Sequence, residues 1–167
     1  CALPICFIYT STGYFWDAVG IGAEDKAAEL SEEYGVKINI DAQGPSETGV
    51  ANQVALFENM ISKGYDAIAI ACSDSDACTN IIDRAVDSGI QIICFDTDAP
   101  DSKRLAFVGS DNYEFGYLLG KTACELVSER GGGTLIIENG IPTQMGMIQR
   151  LEGVEDAVAE RSEERRV

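Results

Sequence analysis

GYDAIAIACSDSDACTNIIDRAVDSGIQIICFD, residues 64–96, contains the reading that decides the fold. Ala67 to Ala71 is a short run of apolar residues with no polar interruption, the mark of a strand buried on both faces. Ser75 to Ser88 follows at helical period and stops at Gly89, a residue suited to the left-handed turn that ends a helix. Ile90 to Phe95 is a second apolar run, broken only by Gln91. A strand, a helix and a strand in so few residues form a crossover unit whose two strands lie parallel.

The same alternation extends in both directions. Upstream, Leu3 to Tyr9 reads as a buried strand. Phe15 to Tyr34 reads as a helix, with Ala18, Ile21, Gly22, Ala27, Ala28 and Leu30 on or near one face and Gly35 after its end. Val36 to Ile40 is a strand, and Ser46 is placed to cap a helix running to about Ser62, with Val50, Val54, Phe57 and Ile61 along one face and Gly64 closing it. Downstream, Leu105 to Val108 is a fifth strand. Asp111 and Glu114 form a capping box that opens a helix to about Ser128. After Gly131-Gly132-Gly133, Thr134 to Glu138 is expected to be a sixth strand, and about Gln144 to Glu160 a last helix. The tail from Glu160 to Arg166 is a charge run suited to a solvated helix end.

Strictly alternating units give an α/β fold: a parallel, Rossmann-like sheet with helices on both faces. The expected order is the flavodoxin-like 2-1-3-4-5, which reverses direction between strands 1 and 3. Ligands of such sheets sit at that switch point, outside the carboxyl ends of the strands, so the loops after strands 1, 3 and 4 are the candidate site. The expected division is a first ligand-binding lobe over residues 1–110 and part of a second, similar lobe over 111–167.

Composition narrows the function. The chain has 167 residues and a net charge of −16, which repels phosphate backbones and anionic lipid, so no nucleic-acid partner is expected. It contains no histidine, which removes the commonest general base and most zinc sites. The loop after the first strand lacks both the dinucleotide and the nucleoside-triphosphate glycine patterns. No nucleophile motif is present either, and the expectation is a protein that is not an enzyme and carries no cofactor or metal. No apolar run approaches the roughly 20 residues of a membrane span. The chain opens almost directly on a strand, so any export leader is expected to have been removed.

Six cysteines are present. Cys6 and Cys94 lie inside apolar runs and read as core residues. Cys72 and Cys78 bracket a short polar loop, where a local disulfide and two free thiols are both open. Cys1 would suit the lipid-modified start of a mature lipoprotein, although no flexible spacer follows it.

The candidate loops carry a consistent chemistry. After strand 1 comes Thr10-Ser11-Thr12-Gly13-Tyr14-Phe15-Trp16-Asp17. Three successive aromatics at a helix start cannot all face the core. Flat apolar rings beside hydroxyls such as that of Thr12 suit a sugar, whose C–H faces stack while its hydroxyls hydrogen-bond. After strand 3, Asp74 reads first as a helix N-cap and only second as a ligand contact. After strand 4, Asp96 leaves the strand end pointing into the crevice, with Asp98 close behind. A carboxylate accepts two hydroxyl hydrogen bonds at once.

Five segments, in order, resemble the ribose-type periplasmic sugar-binding proteins of ABC transporters, the type I solute-binding proteins. They are Thr12–Val19 leading to Gly22-Ala23-Glu24; Gly64–Ile70; Ser88-Gly89-Ile90 through Phe95–Pro100; Val108–Asn112 with Gly116 and Gly120; and Arg150-Leu151-Glu152-Gly153. The resemblance implies two lobes that close on a ligand without reacting with it. Phe15 and Trp16 would sandwich the sugar ring, Asp96 would take hydroxyls, and Arg150 of the second lobe would donate to ring or hydroxyl oxygens. Gly13-Tyr14 stands where the family has Asn-Pro, and Thr97 where ribose binders carry an arginine, which argues against ribose itself.

The resemblance further implies a periplasmic or extracellular protein, lipid-anchored if Cys1 is modified. It would present a sugar or polyol to a membrane permease for uptake or chemotaxis. The alternative is a sugar-sensing module of a signalling receptor or repressor. Family members run to roughly twice the size of one lobe. Past Ser110 only a helix, a strand and a helix of the second lobe are expected, so half a clamp would bind weakly and its apolar faces would favour a dimer.

Overall fold

A computed structural model describes residues 2–140, 142 and 144–164, the last three by backbone alone. Cys1 lies outside the described residues. The chain forms two compact units, residues 1–108 and 109–167.

Unit 1 holds five parallel strands in the order β2-β1-β3-β4-β5, the order expected from the switch-point argument. They are β1 (Ala2–Ile8), β2 (Lys37–Gln43), β3 (Ala67–Ile70), β4 (Gln91–Phe95) and β5 (Ala106–Val108). Helices α1 (Tyr14–Tyr34), α2 (Val50–Lys63) and α3 (Ser75–Asp87) make the crossovers. Strand side chains alternate between faces. Cys6, Ile8, Ile68, Ile70, Ile92 and Cys94 turn to one side and pack against Phe57 and Met60 of α2 and Ile81, Ile82 and Ala85 of α3. Ile5, Phe7, Ala67, Ala69 and Ile93 turn to the other, where α1 lies over only part of the sheet. The rest of that face is an apolar trough of about 370 Å³, bordered by Ala27 and Leu30 of α1 and by Leu105.

Several boundaries differ from the sequence reading. α1 buries Trp16, Gly20 and Ala27, while Ala18, Ile21, Gly22 and Ala28 face solvent. β2 runs on to Gln43, which pairs with Ile8 at the end of β1, and just beyond it a Cβ at Gly44 would meet the Ser11 carbonyl oxygen at 2.4 Å. The chain is still outside the helix at Ser46, and α2 starts at Val50 behind Gly49, so Ser46 is not its cap. Phe57, Val54 and Ile61 of the expected α2 face pack on the core, where Gln53 and Met60 join them, while Val50 is 37% exposed. Asp74 caps α3, its Oδ1 accepting from the Ala77 amide at 2.8 Å.

Unit 2 packs α4 (Asn112–Glu129) on α5 (Met145–Glu164). Asp111 caps α4 by accepting from the Glu114 amide at 3.0 Å. Glycines let the helices touch: a Cβ at Gly116 would sit 2.0 Å from the Arg150 carbonyl oxygen, and one at Gly153 would sit 2.2 Å from that of Tyr113. Tyr113 and Tyr117 hydroxyls donate across to Asp156 and Glu160 at 2.8 and 2.6 Å. The expected strand Thr134–Glu138 has no regular structure. A strand is stable only beside another, and Ile136 here is 92% exposed.

Candidate functional site

The three aromatics at the start of α1 separate. Gly13 takes φ 133°, which favours glycine, and the helix then sends each ring a different way. Tyr14 is 96% exposed and Phe15 64%, whereas Trp16 is only 7% exposed. The Trp16 indole stacks on Tyr9, with ring centres 5.1 Å apart and planes 19° apart, and its N–H donates to Ser11 Oγ at 3.1 Å. Phe15 stands edge-on to it at 4.9 Å. The Phe95 ring meets Trp16 at 6.1 Å and Tyr9 at 6.3 Å, both edge-on. β3 lies between β1 and β4, and it and the residue after it present only Ala69 and Ala71 here, which gives these rings room to meet.

Phe95 is followed by Asp96, so the cluster brings the first loop and the β4 loop together. Asp96 has φ 58°, the one described non-glycine residue with positive φ. It is held there from both sides: its amide donates to the Val108 carbonyl at 3.0 Å, and the Thr97 amide donates to the Phe95 carbonyl at 2.6 Å. Aspartate tolerates this region at a cost, and such strain gathers at ligand-binding positions. Thr97 is 4% exposed, and its hydroxyl has no hydrogen-bond partner among the described residues.

Asp98 has a different occupation from the one its sequence position suggests. Both its carboxylate oxygens are gripped by Arg104, at 2.5 Å to Nε and 2.7 Å to the terminal nitrogen, and Oδ1 also accepts from the Ala99 amide. Arg104 is held above its usual pKa by this pairing. The fork pins the far side of the β4–β5 loop and leaves Asp98 with little capacity for a ligand. Asp74 is similarly used as the cap of α3, and Thr12 is exposed. In unit 2, Arg150 donates from Nε to Asn112 Oδ1 at 2.8 Å and lies over the Phe115 ring at 5.1 Å.

Behind these loops lie three buried thiols. Cys72 and Cys78 are free, and the Cys72 sulfur lies 3.9 Å from that of Cys94. Contacts with Cys78 and Cys94 and burial push the Cys72 thiol well above its usual pKa. Cys6 is raised to about 12, chiefly by burial.

One side chain at the site was not singled out in the sequence. Gln53, 1% exposed, donates to the carbonyls of Tyr9 at 2.9 Å and Ala71 at 2.7 Å. Its own oxygen accepts from the Ser73 amide at 2.9 Å. A polar residue in register with Phe57 and Met60 was the available signal.

A family model described as "Periplasmic binding protein domain" matches residues 5–166. The chain belongs to the periplasmic binding protein family. It is 30% identical over 142 residues to a D-ribose/D-allose-binding protein of Pseudomonas aeruginosa, covering 81% of this chain and 44% of that one. It is 30% identical over 148 residues to a D-allose-binding periplasmic protein of Escherichia coli, covering 84% and 46%. The crystal structure of a glucose–galactose binding protein from Geobacillus stearothermophilus superposes with a TM-score of 0.79 at 25% identity, covering 96% of this chain and 55% of that one. The chain thus spans about half the length of the relatives it matches, and its fold is that of the type I binding proteins.

Proposed function

We propose that this chain binds a sugar or related polyol, without reacting with it, at the carboxyl ends of β1, β3 and β4. The observation that carries the reading is the joining of an exposed Phe15 to a strained Asp96 through the Trp16–Phe95 contact. Phe15 supplies an open apolar ring for a sugar face, and Asp96 supplies paired acceptors for adjacent hydroxyls. Thr12 and Tyr14 border the site with hydroxyl groups. Trp16 backs Phe15 and offers the ligand an edge rather than a face. Asp74 and Asp98 are assigned to holding the loops, and Arg150 of unit 2 to donating to ligand oxygens. The ring cluster, acceptors and sugar-binding relatives favour recognition over catalysis. The ligand is delivered to a membrane permease of an ABC transporter, from the periplasm or the cell exterior. Lipid attachment at Cys1 and pairing of two copies through unit 2 belong to the same reading.

The chain's single tryptophan tests it. Titration with D-ribose, D-allose, D-xylose, D-arabinose, D-glucose and D-galactose is expected to change Trp16 emission saturably for at least one sugar. Phe15→Ala is expected to weaken that response by tenfold or more with unfolding unchanged, because Phe15 is 64% exposed. No response to any sugar would refute the assignment.

A further inference from the structure

The ladder between β1 and β3 ends at the pair Ile8 and Ile70, with one further bond from the Ala71 amide to the Ile8 carbonyl at 2.9 Å. Beyond that point the strands part. One chain continues into the loop that leads to Phe15 at the start of α1, the other into Cys72-Ser73-Asp74. The carbonyls of Tyr9 and Ala71 sit at this fork, in the interior, where a backbone oxygen without a donor is costly. Gln53 serves both from one nitrogen, and its oxygen takes the Ser73 amide and, at 3.8 Å, the Cys78 thiol. Among protein side chains only a carboxamide offers two donors on one atom and an acceptor beside it. From α2 it reaches the carboxyl ends of two strands that the ladder no longer joins.

We infer that Gln53 is a positioning residue for the ligand site: its carboxamide fixes the gap between the loop that leads into α1 and Phe15 and the loop beginning at Cys72, and so sets the width of the crevice. The ligand consequence rests on the sugar-binding reading. The loop geometry does not, and it is measured without ligand.

The test compares Gln53→Met, which keeps the volume and removes every polar contact, with Met60→Ala. Met60 is 1% exposed on the same helix, so its truncation destabilises the same core without touching either carbonyl. In Gln53→Met, hydrogen exchange at the Ser73 amide is expected to rise tenfold or more relative to the β4 amides. The near-ultraviolet circular dichroism of the Tyr9–Trp16 stack is expected to shift. In Met60→Ala both are expected to stay close to the parent even though stability falls. If Gln53→Met does not fold, Gln53→Leu, which likewise removes every polar contact, is read in the same way. Equal responses in the two positions, or Ser73 exchange within twofold of the parent, would overturn the inference. Sugar affinity is read separately and is expected to fall tenfold or more in Gln53→Met. A parent protein that binds no sugar overturns the reading of the site, while the exchange comparison still decides Gln53.

Discussion

Replacing Gly116 and Gly22 by alanine is the same chemical change in two helices, and the structure assigns the two opposite signs. An alanine in a helix interior is worth about 1 kcal/mol more than a glycine. At Gly22 of α1 a Cβ would meet nothing within 4 Å, so Gly22→Ala is expected to gain roughly 0.5–1 kcal/mol. At Gly116 the Cβ would lie 2.0 Å from the Arg150 carbonyl oxygen and 2.7 Å from its Cα, against an ordinary contact of at least 3.4 Å. The obstacle is backbone and cannot rotate away, so α5 must retreat by more than an ångström. Over-packing of this kind costs about 1–3 kcal/mol, and a rigid neighbour puts it at the upper end. The retreat also weakens the close contacts at Gly120 and Gly153. The net expectation for Gly116→Ala is a loss of about 2 kcal/mol, some 1 M in urea midpoint at a typical slope. Trp16 emission reports unit 1, and far-ultraviolet circular dichroism reports the helices of both units. Gly22→Ala should raise the Trp16 midpoint, and Gly116→Ala should lower the transition of α4 and α5. A Gly116→Ala protein as stable as its parent would refute the claim that these helices are in backbone contact.

Two further predictions concern unit 1. Asp74→Ala should lose about 1 kcal/mol through the uncapped α3, whereas Ser46→Ala should be neutral because α2 begins at Val50; equal effects in a urea melt would contradict the assigned helix starts. Asp41 titrates below its usual range: burial opposes ionisation, but hydrogen bonds from Tyr65 and Gln43 outweigh it. With the folded pKa depressed, its stabilisation is fully present above about pH 4, the unfolded value, and is lost as pH falls through the lower folded value. Asp41→Asn should therefore narrow the stability difference between pH 6 and pH 2.5, and an unchanged difference would count against the Tyr65 contact.

The alternation of apolar runs with helical segments was enough to place the sheet order, because buried parallel strands leave an unmistakable pattern in residues such as Ile90 to Phe95. The cap at Asp111 and the core positions of Cys6 and Cys94 were equally readable. What escaped depended on partners distant in sequence. Ser46 has the chemistry of a cap, but the helix starts only at Val50, behind Gly49. Thr134 to Glu138 has the composition of a strand but, among the described residues, no strand to pair with. Asp96 and Asp98 look alike in sequence; the arrival of Arg104 from the other end of the loop is what makes Asp98 a strut, and nothing local announces it. Trp16 was grouped with two exposed rings because nothing local announces that Tyr9 will lie beneath it.

The apolar trough beside α1 sets the colloidal behaviour of the molecule. A charge of −16 keeps copies apart over roughly a Debye length, about 10 Å at 0.1 M salt and 3 Å at 1 M. The strip of Phe7, Ile93 and Leu105 attracts only on contact, so it has no influence while the long-range repulsion stands. Added salt removes the repulsion first and strengthens apolar association afterwards. This acidic protein should therefore be best dispersed in dilute buffer, and should become self-adhesive in the brine that usually calms charged surfaces.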